Sequence, residues 1–158
     1  MIRFATPADL PAIERFIRAL AEYEKLAHAV RFDPAVLARH LFGERPMAEV
    51  LIAEADGAPV GFALFFHSFS TFEGRPGLYL EDLFVLPEAR GGGHGRALLA
   101  ALARTAVERG CARLDWQVLD WNEPSKAFYR ALGAEHGAGW EPFRLEGDAL
   151  ARLAGEAG

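Results

Sequence analysis

The sequence predicts a mixed α/β fold of the α+β kind, a sandwich of sheet and helices. Three observations carry that prediction. Strand-like segments are interspersed with amphipathic helical ones along the chain. The apolar stretch "AEVLIAEADGAPVGFALFFHSFS" is broken once, at Asp56-Gly57, as a β-hairpin is. The segment "RGGGHG" sets four glycines in six positions between the strand-like "LYLEDLFVLP" and the helical "RALLAALARTAVERG".

Each element follows in order. "IRFAT" reads as a short strand ended by "TPAD", where Thr6, Pro7 and Asp9 form a helix start of the capping-box kind. Ile13, Phe16, Ile17 and Leu20 then share one helical face. "DPAVLARHLF" opens a second helix with Asp-Pro. After the hairpin, "STFEGRPG" reads as loop from its glycine and proline content. "LYLEDLFVLP" is a strand stopped by Pro87, and the helix after the glycines ends at Gly110. "ARLDWQVLD" is a further strand, and "NEPSKAFYRALG" a short helix with Pro124 near its start and Gly133 at its end. "EPFRLE" reads as strand, with a final helical turn behind it. No repeat or linker interrupts residues 1–158, so a single domain is expected.

Composition excludes several classes. With 51% apolar and 25% charged residues, the chain resembles an ordinary globular protein. A net charge of −5 lacks the basic footprint of a nucleic-acid partner and suits a cationic ligand. No segment has the length and apolarity of a membrane span, and "MIRFATPADL" lacks the pattern of a signal peptide, so a cytoplasmic location is expected. Cys111 has no partner for an internal disulfide and sits in an apolar pattern that favours a small buried residue. The five histidines (His28, His40, His67, His94 and His136) show no metal-ligand spacing, and no metal is expected.

Glycine is a poor helix former, so a cluster of it before a helix calls for a reason. A strand–glycine–helix junction points backbone N–H groups at the positive end of a helix dipole, which makes an anion site. The Walker pattern fails here for want of Gly-Lys-Ser/Thr, and the dinucleotide pattern fails because it belongs to a first strand. From these residues alone, a phosphate cradle and a plain glycine-rich turn both stay open. Glu81 and Asp82 are adjacent in a strand, which by simple alternation puts them on opposite faces.

The arrangement Arg90-x-x-Gly93-x-Gly95 resembles the pyrophosphate loop of the GNAT acetyltransferase superfamily. "AEYEKL", "LYLEDLFV", "RGGGHG" and "WNEPSKAFYRALGA", in that order, are similar to its diamine (spermidine/spermine) branch, which includes thialysine acetyltransferases. The resemblance runs from residue 2 to about residue 146. It implies a GNAT fold: a central twisted mixed sheet flanked by helices, with acetyl-CoA at a splay between the strands near 78–86 and 112–119.

The resemblance also implies roles. Arg90 opens the pyrophosphate loop, and the amides of Gly91, Gly92, Gly93, His94, Gly95 and Arg96 would cradle the pyrophosphate. Main-chain groups of Leu83, Phe84 and Val85 would meet the pantetheine arm, with Asn122 and Ser125 flanking the coenzyme. Tyr129, by pattern alone a core or rim aromatic, would be the general acid for the departing thiolate. Glu81 would bind the amine and relay its proton, with Asp82 in support. Tyr23, Glu24, Asp115, Trp116 and Gln117 would face the substrate. The late acidic pair of the diamine enzymes is replaced by Ala138 and Gly139, which shifts the expected amine toward a short diamine or a thialysine-like amino acid. The branch further implies a homodimer to which residues 141–146 contribute a strand. Acetylation of a protein N-terminus or lysine, and a non-catalytic acyl-CoA-binding role, are the competing expectations.

Overall fold

A computed structural model describes residues 1–157. The chain falls into two compact units, one ending at Leu119 and the other beginning at Asp120.

The first unit is built on a five-stranded sheet in chain order: β1 (Ile2–Phe4), β2 (Glu49–Ala55), β3 (Ala58–Ser70), β4 (Arg75–Val85) and β5 (Leu114–Trp116). Neighbours are antiparallel except β4 and β5, which are parallel. Helix α1 (Leu10–Tyr23) and helix α2 (Pro34–Phe42) precede the hairpin, and α3 (His94–Glu108) connects the parallel pair. The turn at Asp56-Gly57 has φ of 50° and 77°, the left-handed pair that matches the twist of a tight hairpin.

Strand alternation sorts the core into two layers. Ile13 and Phe16 of α1 and Leu41 of α2 cluster with Val50, Ile52, Phe62, Leu64 and Phe84. The Phe16 and Phe62 rings stack at 5.5 Å. Leu51, Ala53, Ala63, Phe65, Leu78 and Leu80 occupy the other face, and all are buried. Leu98 and Leu102 of α3 are buried as well, and Arg109, just past α3, lies over the Phe65 ring. At the start of the chain, Arg3 joins Asp9 and Glu54 at 2.8 Å each, while Asp9 also accepts from the Thr6 N–H. Arg3 is the main reason the Asp9 carboxyl lies far below its ordinary range.

Three boundaries differ from expectation. β3 and β4 continue through Ser70 and Arg75, so the loop is only residues 71–74. Gly77 suits this close approach: a Cβ there would lie 2.8 Å from the Ser68 Oγ and 3.3 Å from the Arg113 carbonyl. β5 covers Leu114–Trp116, less than the expected 112–119, because its ladder with β4 ends at Leu80. Residues 141–146 form no strand; a strand needs a paired neighbour for its main-chain groups, and the described residues provide none there. Cys111 is half-buried, not fully enclosed.

The second unit contains α4 (Glu123–Ala131) and α5 (Gly147–Ala154). Among the described residues, no helix is long and apolar enough to cross a membrane.

Candidate active site

The organising feature is a one-residue bulge in β4. Leu64 pairs with Asp82 and Phe65 with Leu80, so Glu81 has no partner on β3. A bulge resets the phase of everything beyond it. Before it, the Leu78 N–H donates to the Arg113 carbonyl at 3.0 Å, so even-numbered main-chain groups face β5. After it, the Leu86 N–H donates to the Val60 carbonyl at 2.8 Å, so even-numbered groups face β3. The main-chain groups of Leu83 and Val85 therefore point to the side that β5 has left, and those of Phe84 do not. Pairing of β4 with β5 stops at Leu80 and Trp116, next to the bulge.

The side chains are re-phased too. Without the bulge, Asp82 would share the face of Leu80. With it, Asp82 stands on the α1 face, in register with Leu64 and two residues from Phe84. The bulge thus breaks the alternation between Leu80 and Asp82. Both act on one electrostatic neighbourhood: Asp82 is pushed up to about 7, first by burial, then by Glu81 and Glu24. Burial also raises Glu24. Glu24 caps the end of α1, its N–H donating to the Leu20 carbonyl at 2.9 Å, and Lys25 at φ 62° turns the chain away. Glu24 and Glu81, from two distant segments of one unit, thus both act on Asp82.

Tyr79 extends this group and escaped the sequence reading. It pairs with Asp115 in β5, its ring lies 5.2 Å from that of Phe66 at a tilt of 33°, and its hydroxyl is raised by burial, Glu81 and Asp115. Its position two residues before Glu81 was the available signal. Asp115 is also bonded by Arg113 at 2.8 Å. Trp116 pairs with Leu80 and so falls on the opposite face from Asp115, while Gln117 lies beyond the strand and is exposed. The proposed substrate stretch 115–117 is therefore divided between faces.

The glycine loop leads into α3. Gly91 and Gly93 have φ of 82° and 77°, and Gly93 caps the helix. A Cβ at either position would meet nothing within 4 Å, so left-handed backbone, not crowding within the chain, is what requires glycine. At Gly92 a Cβ would come within 3.1 Å of the His94 ring. Gly91, Gly92 and Gly93 are exposed, Gly95 is the second helical residue, and Arg96 is exposed. The first α-helical bond runs from the Ala97 N–H to the Gly93 carbonyl, so the amides just before Ala97 have no partner within α3. Arg90 does not project from the loop: its Nε donates to the Val85 carbonyl at 3.1 Å, and its guanidinium lies over the Tyr23 and Phe84 rings.

In the second unit, buried Asn122 caps α4 by accepting from the Ser125 N–H at 3.3 Å. Lys126 reaches the Asp120 carbonyl and the Glu123 carboxylate. Tyr129 is half-buried, its ring 5.6 Å from that of Phe128. Among the described residues, no group of three or more His, Cys, Asp or Glu side chains is placed to hold a metal ion.

Residues 13–134 match the profile of the Acetyltransferase (GNAT) family. The chain is 42% identical over 167 residues to a thialysine N-epsilon-acetyltransferase of Bos taurus, an alignment covering 99% of this chain and 98% of that one. It is 30% identical to an L-ornithine N5-acetyltransferase of Arabidopsis thaliana, covering 94% of this chain and 85% of the relative. Among solved structures, an integron cassette protein from the mobile metagenome of V. cholerae superposes with a TM-score of 0.80 at 30% identity, covering 98% and 96% of the two chains.

Proposed function

Because the chain belongs to the Acetyltransferase (GNAT) family, we propose that it transfers acetyl from acetyl-CoA directly to a primary amine of a small cationic substrate, a short diamine or thialysine-like amino acid. One observation carries this reading: the β4 bulge puts Asp82 on the α1 face, within the field of Glu81 and Glu24, and turns the Leu83 main chain away from β3 beside it. The residues fit acetyl-CoA, since the open strand edge suits an extended amide-bearing arm and the α3 amides suit its pyrophosphate. When bound, acetyl-CoA supplies the activated acyl group.

The chain's own residues supply the rest. An alkylammonium of pKa about 10.4 needs roughly 4–5 kcal/mol to reach the neutral nucleophile near pH 7. In this reading Glu81 takes that proton, directly or through water. The near-neutral titration of Asp82 favours a second assignment, in which Asp82 takes it, since a base is most effective near the working pH. The Leu83 N–H supports the carbonyl oxygen as charge develops on it. Tyr129 returns a proton to the departing sulfur; the resemblance of "NEPSKAFYRALGA" supports that role. The same reading makes the enzyme a cytoplasmic homodimer.

The carboxylates also predict selectivity. A carboxylate–ammonium pair at about 4 Å is worth roughly 1 kcal/mol in water and about 4 at an effective dielectric of 20. A diamine should therefore exceed a monoamine of equal length about three- to tenfold in kcat/KM, measured by thiol release from acetyl-CoA. Glu24→Gln should reduce that ratio toward one. No thiol release with any amine would leave a non-catalytic acyl-CoA-binding domain. Equal kcat/KM for both amines would remove the cationic-site reading, and preference for peptide amines would favour a protein acetyltransferase.

A further inference from the structure

The contacts of Arg90 do not follow from a cofactor role alone. Its guanidinium carbon sits 5.2 Å from the Tyr23 ring centroid and 5.7 Å from that of Phe84, while its Nε holds the Val85 carbonyl. Tyr23 is the last residue of α1, and Glu24 follows it directly. Phe84 and Val85 end β4, three and four residues beyond the Glu81 bulge. Arg90 itself is the residue before the left-handed Gly91. One side chain thus ties together three segments: the helix end that carries Glu24, the open edge of β4, and the glycine loop.

We infer that Arg90 is a positioning residue for the amine, acting through Tyr23 to fix the helix end that carries Glu24, so that the glycine loop and Glu24 are set by a common contact. This rests on the amine acetyltransferase reading above. Geometry explains why the residue is arginine. A planar guanidinium lies against aromatic faces and still donates in its plane through Nε, whereas a lysine ammonium cannot do both. Tyr23, the last residue of α1, is more than one-third exposed. The contact joins the sites for the two substrates, so amine affinity should depend on a residue usually counted with the acyl donor.

The experiment compares Arg90→Lys, Arg90→Gln, Tyr23→Leu and Tyr23→Phe with the parent enzyme. Each is assayed with a diamine and its equal-length monoamine at saturating acetyl-CoA. Arg90→Lys and Tyr23→Leu should each lower the diamine-to-monoamine ratio of kcat/KM about three- to tenfold, mainly through the KM of the diamine. Tyr23→Phe keeps the ring and should recover most of the ratio lost in Tyr23→Leu. The Arg90→Lys/Tyr23→Leu double variant should be little worse than either single one, because both break the same contact. Amide hydrogen exchange of residues 20–26 in the ligand-free protein should rise in Arg90→Gln, a readout that needs no turnover. A change confined to the KM of acetyl-CoA, additive effects of the two sites, or unaltered exchange at 20–26 would each overturn the proposal. If the parent itself transfers no acetyl group, the functional reading fails, and the exchange measurement still decides whether Arg90 holds the end of α1.

Discussion

Asp82 shows how one side chain joins folding to chemistry. It lies on an apolar face, paired with Leu64 and two residues from Phe84, and within the field of two other carboxylates, so its charged form is disfavoured. The sign of the resulting linkage is definite. The unfolded chain releases this proton near the ordinary aspartate value of 3.8, whereas the folded chain keeps it until about pH 7. The stability associated with the group is therefore complete below about pH 4 and is lost as pH rises to about 7. Asp82→Asn should remove that loss, making the ligand-free protein about 1–3 kcal/mol more stable at pH 8 than the parent, with little difference at pH 4. Urea titration at both pH values measures it, and an equal effect at both would mean that Asp82 is not held near neutrality. The kinetic counterpart separates the two candidate bases. If Asp82 is the base, kcat/KM in the parent rises through pH 7, and Asp82→Asn abolishes that limb while Glu81→Gln retains it.

At the scale of elements, the sequence disclosed pieces and concealed their phase. The hairpin, the capped helices and the strand–glycine–helix junction were legible because each rests on local chemistry: Asp56-Gly57, Asp33-Pro34, and the glycines before α3. The bulge at Glu81 was not legible, because an extra residue in a ladder is defined only by the partner strand. That is why spacing alone disclosed neither the face of Asp82 nor the neighbourhood of Tyr79. The glycines before α3 illustrate a subtler division. Their left-handed φ already explains Gly91 and Gly93, so conformation and ligand access must be separated by experiment. Gly93→Val would confound them, since a β-branched residue is strained at φ 77° whatever binds there. Asparagine tolerates the left-handed region, so Gly93→Asn should cost less than about 1 kcal/mol of stability. It should nonetheless weaken acetyl-CoA binding at least about tenfold in calorimetry, by setting a side chain over the amides of α3. Undiminished affinity in a folded variant would place the pyrophosphate elsewhere.

The whole chain leaves a different kind of surface to be explained. Trp140 is 89% exposed and Phe143 96%, and Leu145, Leu150 and Leu153 are each about half exposed, all in the second unit. Single exposed apolar residues are ordinary, but five within fourteen positions, two of them large aromatics, are a pattern associated with interfaces. The sequence reading gave residues 141–146 to a strand, and the isolated chain forms none. Both facts follow if that segment finds its partner on a second copy, because a strand is stable only when its main-chain groups are paired. The expected state in solution is a homodimer at micromolar concentration, measured by light scattering. Burying one ring of about 150–250 Å² is worth roughly 4–6 kcal/mol at about 25 cal/mol per Å², before the cost of association. Trp140→Ser and Phe143→Ser should therefore each raise the dimer dissociation constant at least about tenfold, while the helix content of the chain is retained. A parent protein that remains monomeric as its concentration is raised would rule out this use of the surface, and the exposed rings would then need another partner.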